Sequence, residues 1–246
     1  MPAARTLTCL LLGWLLGAPL IIDAQEVIYI QPGSAWRWRP GSSEASEPQG
    51  AWRENGFDDS AWLSGQAPFG YGDPPFGTDL SEADPPMRRN YSSVYLRHTL
   101  EIPNPALLVA LEAAVDFDDG FILWINGVEV ASENAPADPA FDARSQRSHE
   151  SGTYELFDLP APSNYILAGA NTIAVQFFNA TLSSSDAKFD LSLIDPVGID
   201  STAPLVTGLL PGLNARVRNL QTVEVRFSEA VGGVDASDLL INNRAA

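Results

Sequence analysis

The chain is almost without cysteine and lysine. Of 246 residues, Cys9 is the one cysteine and Lys188 the one lysine. A single thiol excludes both a disulfide framework within the chain and a thiolate zinc site. Histidine is nearly as scarce. With only His98 and His149 there is no HExxH pair, and neither a GxSxG elbow nor a glycine-rich phosphate loop occurs. Basic side chains number 14 against 31 acidic ones, leaving a formal charge of −17. A surface of that sign repels a phosphate backbone or an anionic leaflet, which argues against nucleic acid or a membrane surface as partner. Long apolar runs are lacking too. The longest, Leu10–Ile22, has thirteen residues, short of the ~20 that span a bilayer.

That run follows Arg5 and ends at Asp23, with Ala24 offering a small residue before Gln25. This is the layout of a secretory signal peptide. Residues 1–24 are therefore read as an export signal, and the product as secreted or displayed at the cell surface. Its removal takes away Cys9 and leaves no segment for membrane insertion.

Aromatics are plentiful: six Trp, six Tyr and eleven Phe, with Gly and Pro at 19 each. After Gln25 no long helical period occurs. Short runs of period two, or wholly apolar, are separated by Gly, Pro, Asn and Asp, which points to strands. They are Val27–Ile30, Ala35–Arg39, Val94–Ile102, Leu107–Phe117, Tyr154–Leu159, Thr172–Asn179 and Lys188–Ile194. Phe121–Ile125 and Val128–Ala131 flank Asn126-Gly127, the dipeptide that best accepts positive φ at both centres of a hairpin turn. Asp58–Trp62 reads as a helical turn capped by Asp58 or Asp59. Such spacing predicts an all-β fold, a jelly-roll β-sandwich of about eight to ten strands. After Ile194, residues 196–204 read as a linker. Leu205–Leu209 and Thr222–Phe227 then read as opening strands of a second sandwich, incomplete at Ala246. Units of about 40 residues seldom bury a core alone, so a fragment of a longer protein, with further domains downstream, is expected.

Particular residues carry a resemblance. Asn55-Gly56-Phe57-Asp58-Asp59-Ser60-Ala61-Trp62, then Ala67-Pro68-Phe69-Gly70-Tyr71-Gly72, are followed by Asp118-Asp119-Gly120 and Trp124-Ile125-Asn126-Gly127. Leu167–Val175, Ser183–Asp186 and Phe189-Asp190-Leu191 complete the series. Together they resemble galactose-binding-like jelly rolls, such as the sugar-binding domain of family 2 glycoside hydrolases. The resemblance covers 25–195 and implies a sandwich that carries no catalytic acids of its own. Val223–Val231 and Val234–Leu239 resemble the opening of a bacterial Ig-like domain, spanning 205–246.

Carbohydrate, or a cell-surface polymer, is thus the expected ligand, and no catalytic residue is assigned. A flat ring stacks on the C–H face of a sugar while nearby polar groups bond the hydroxyls. Tyr71, Trp52, Phe69 and Trp36 are the candidate rings, with Tyr71 expected as an exposed platform and Asp73 beside it. Asp58, Asp59 and Asp73 are candidate oxygen ligands for a structural calcium ion. Asp116–Gly120 is similar to a calcium loop, but its Gly comes early and no Glu follows, so a turn between strands is expected. His98 is read as a hydrogen-bonded strand residue and His149 as a solvated loop residue. Two readings of another class stand beside the binding module: a structural or adhesive scaffold without a small ligand, and an accessory domain of a secreted glycoside hydrolase.

Overall fold

The computed structural model describes residues 26–198, 205–212, 214–218, 222–228, 240–241 and 244–245. The segment read above as an export signal and most of the one read as a linker lie outside the described residues. The chain divides into two units, the larger containing residues 26–198 and the smaller those from Leu205 onward.

The larger unit is an all-β sandwich of two six-stranded sheets. One sheet takes β1 (Val27–Ile30), β4 (Phe69–Tyr71), β5 (Thr78–Asp79), β7 (Glu112–Asp118), β10 (Glu155–Asp158) and β12 (Ala187–Asp195). Its order is β10-β7-β12-β4-β5, with β1 pairing the end of β12 beyond β4. The other sheet takes β2 (Ala35–Pro40), β3 (Leu63–Gln66), β6 (Ser93–Ile102), β8 (Gly120–Ile125), β9 (Val128–Glu133) and β11 (Gly169–Phe178). Its order is β3-β2-β6-β11-β8-β9. All pairings in the sandwich are antiparallel except β4 with β5.

Alternation explains the core between the sheets. Val94, Leu96, Leu100 and Ile102 of β6 share a face with Ile173, Val175 and Phe177 of β11, and with Phe121, Leu123 and Ile125 of β8. They meet Val115 and Phe117 of β7 and Phe189, Leu191 and Leu193 of β12. Each such side chain contributes about 1.5–3 kcal/mol on burial. The β8–β9 hairpin turns at Asn126 and Gly127, with φ of 50° and 81°, the doubly positive pair that its dipeptide predicts.

The outer face of the β6 sheet is not left to solvent. Tyr95, Ile122, Trp124, Ala174 and Phe178 point outward, and residues Ala45, Trp52 and Trp62 close over them as a second apolar cluster. Trp52 sits at its centre, with ring centroids 4.9 Å from Tyr95 and 5.5 Å from Trp124. Arg97 of β6 ties the covering segment down: its Nε donates to Asp59 at 2.8 Å, and its Nη1 donates to the Trp52 carbonyl.

Three expectations change. The first strand of the Leu107–Phe117 run starts only at Glu112, because Pro105–Leu107 forms a 3-10 turn and leaves Val109 exposed. Asp58–Trp62 is a turn closed by the Trp62 N–H on the Asp59 carbonyl, and the helical turn lies earlier, at Ala51–Arg53. The short strands β3, β4 and β5 bring the sandwich above ten, in a region where Gly and Pro interrupt any period.

In the smaller unit β13 (Val206–Leu210) pairs antiparallel with β14 (Glu224–Phe227), and β15 (Leu240–Ile241) pairs with β16 (Arg244–Ala245). Residues 229–239, which carry much of the Ig-like motif, lie outside the described residues.

Candidate functional site

The aromatic candidates are core. Trp36, Trp52, Phe69 and Tyr71 are 2%, 1%, 0% and 3% exposed. None of these rings presents a face to solvent, so the expectation of Tyr71 as an open platform is corrected. Phe69 and Tyr71 lie on β4, paired with Phe189 and Ala187 on the inward face of the sheet. Trp36 packs against His98, whose Nδ1 lies 2.9 Å from the Ala35 carbonyl, as a strand histidine should. Asp73 is exposed in the loop after β4. Two of the three expected ion ligands are otherwise engaged. Asp58 accepts the Ser60 N–H, and the Ser60 bonds hold its carboxyl below the usual range. Asp59 is paired with Arg97.

An open depression of about 400 Å³ lies where the covering segment meets β2 and β3. Arg39, Pro40, Phe57, Asp58, Trp62 and Leu63 line it. Arg39 is fixed by donating to the Ala45 carbonyl and the Ser43 hydroxyl, and its guanidinium stands 5.9 Å from the Trp62 ring centre. Phe57 meets Trp62 edge to face at 6.0 Å and is backed by the Arg97 guanidinium at 5.2 Å. Half-buried aromatic carbon, a forked donor and an exposed carboxylate therefore converge on one surface. Trp62, Phe57 and Arg39 were not among the site residues expected from the sequence. The signal for Phe57 and Trp62 was the Asn55–Trp62 segment itself, whose folding back over β6 is a long-range event.

A second polar constellation lies on the β7–β12 sheet. Asp116 and Asp118 alternate with the core residues of β7, and Lys188 and Asp190 do so on β12. Nearly every buried carboxylate here has partners. Asp116 takes the Gly152 N–H at 2.6 Å and Lys188 Nζ at 3.0 Å. Asp190 takes Tyr154 Oη at 2.7 Å and the N–H groups of Gly33 and Leu191. Asp119 takes the N–H groups of His149 at 2.9 Å and Ala180 at 2.6 Å. Asp118, 3% exposed, has no hydrogen bond or ion pair among the described residues. Oxygens of Asp118, Glu150 and Asp186 lie within 4.8 Å of one another. Burial, then the charges of Asp119, Asp186 and Glu150, push the Asp118 carboxyl up to about 8, against an opposing effect of His149.

His149 corrects a further expectation. It is not a solvated loop residue: its ring stacks on Phe117 at 4.0 Å, with Nδ1 3.0 Å from the Phe117 carbonyl and Nε2 2.7 Å from Glu155. Burial opposes its charge, but the two acceptors outweigh that and raise its pKa. Asp116–Gly120 is a crossover between strands of different sheets, β7 and β8.

Two sheets packed face to face, with loops folded over the outer side of one, define an all-β jelly-roll-like sandwich. No family model matches the chain, and no curated protein matches it. Solved structures similar to it include a β-glucuronidase of Bifidobacterium dentium complexed with coumarin-3-O-glucuronide, at 15% identity over 65% of this chain and 21% of that one, TM-score 0.42. Another is β-glucuronidase 2 of Bacteroides uniformis, covalently bound to cyclophellitol-6-carboxylate aziridine, at 17% identity over 69% and 18%, TM-score 0.45. A third is a family 2 glycosyl hydrolase from Bacteroides cellulosilyticus, at 17% identity over 69% and 20%, TM-score 0.41. This chain spans about a fifth of the length of each. Among the described residues no helix is long and apolar enough to cross a membrane.

Proposed function

We propose that the larger unit is a non-catalytic carbohydrate-binding module of an exported, multidomain protein, with the smaller unit an Ig-like spacer. The depression beside Trp62 carries the reading. Phe57 and the edge of Trp62 supply apolar carbon for a sugar's C–H face, while Arg39 and Asp58 offer a donor and an acceptor for hydroxyls. The floor is stiff, because Arg97, Asp59 and Trp52 hold the segment on β6. A preorganised site loses little entropy on binding, so even a shallow contact can hold a sugar of a polymer. The ligand class is a neutral or mildly cationic glycan, given the surrounding negative charge.

Affinity electrophoresis against a polysaccharide panel tests this. Retardation by at least one glycan, lost in Phe57→Ala and Arg39→Ala proteins that retain their circular dichroism spectra, is the expected result. If no polysaccharide retards the protein, the binding reading fails and a scaffold without a small ligand takes its place.

A further inference from the structure

We propose that Asp118, Glu150 and Asp186 form a calcium site that clasps three separate segments of the sandwich. The three carboxylates bring oxygens within 4.8 Å of one another. None of them is paired with a cationic side chain among the described residues. Lys188, the nearest basic strand partner, is committed to Asp116.

Asp118 is the decisive residue. Among the described residues the chain buries five aspartates, and Asp116, Asp119, Asp190 and Asp195 each accept hydrogen bonds. Asp118 accepts none, although it is 3% exposed and turns its carboxylate toward Glu150 and Asp186. A carboxylate held in so buried a position without donors is unfavourable unless a cation or proton compensates it. Three hard oxygen donors of this kind suit calcium, which takes flexible carboxylate sets.

The surroundings are built to hold the ligands. Asp119 bonds the N–H of His149 and that of Ala180, so one side chain braces both loops that bring Glu150 and Asp186 to the cluster. His149, one residue before Glu150, is stacked on Phe117 and bonded at both ring nitrogens. Tyr71 Oη donates to the Ser184 carbonyl and accepts from Asn179 Nδ2, steadying the loop before Asp186. Gly72, at φ +97°, lies so close that an added Cβ would stand 2.6 Å from the Asp186 Cβ. The site is separate from the depression beside Trp62 and does not depend on the carbohydrate reading.

Calorimetric titration of the chelator-treated full chain with CaCl2 tests the proposal, with MgCl2 as a parallel titrant. One tight equivalent of calcium is expected, lost in Asp118→Asn and weakened at least tenfold in Glu150→Gln, which alters an exposed side chain and leaves the fold intact. The equivalent should persist in Glu82→Gln, an exposed carboxylate elsewhere. Melting should rise by about 5–10 °C with calcium at a hundred times its Kd. Absence of a tight equivalent, or one that survives both Asp118→Asn and Glu150→Gln, overturns the proposal. Diffuse weak binding proportional to total charge does the same.

Discussion

The two sheets treat their outer faces in opposite ways. Over β6, β8 and β11 the outer side chains are Tyr95, Trp124 and Phe178, and a folded-back segment seals them with Trp52 and Trp62. Over β7 and β12 they are Asp116, Asp118, Lys188 and Asp190, and the neighbouring loops supply N–H groups and further carboxylates instead. The first arrangement stabilises by removing apolar area from water. The second carries a desolvation cost and holds only where each charge is matched. Aromatic residues in this protein are thus mainly structural. Its concentrated polar chemistry lies on the opposite sheet.

The largest effect is expected from Trp52→Ala. Loss of a fully buried indole at the centre of the sealed face should cost about 3–5 kcal/mol, read by urea unfolding. A cost below about 1 kcal/mol would show that the cover is not a true second core.

Next in size is the pH response of the acidic side. The Asp118 carboxyl is raised from 3.8 to about 8, so between those values the native state holds a proton that the unfolded state releases. Stability therefore falls as pH rises through that window. His149, also raised, acts in the same direction, its contribution being lost as pH climbs past its folded pKa. In chelator the melting temperature should decline from pH 5 to pH 9, and Asp118→Asn should flatten the decline. An identical slope in the variant contradicts the assignment.

Smaller effects sharpen the picture. Tyr71→Phe removes a donor to Ser184 and an acceptor for Asn179, at a cost of about 1–2 kcal/mol, and should weaken calcium binding more than glycan binding. Phe57→Ala truncates a ring that is only partly buried. It should change stability by about 1 kcal/mol or less while abolishing retardation by polysaccharide.

Much of the sandwich is legible in the sequence because it depends on local pattern. The alternation of Val94, Leu96, Leu100 and Ile102 marks β6, and Asn126-Gly127 marks the β8–β9 hairpin. The short strand β4 is not legible, since Phe69-Gly70-Tyr71 sits between Pro and Gly and is held by pairing with distant β12. The same cause misplaced the site. Tyr71 between two glycines reads as an exposed loop ring, but its neighbours Asn179 and Ser184 come from the far end of the chain. Asp118, Glu150 and Asp186 belong to three separate segments, and the pairing of β7 with β12 together with the Asp119 bond to the His149 N–H brings them together.

The contrast between the two faces is tested most directly by hydrogen–deuterium exchange with and without calcium. Calcium should slow exchange in residues 116–120, 145–152 and 180–187 and leave residues 39–63 unchanged. Equal protection of both regions, or protection confined to 39–63, would contradict it.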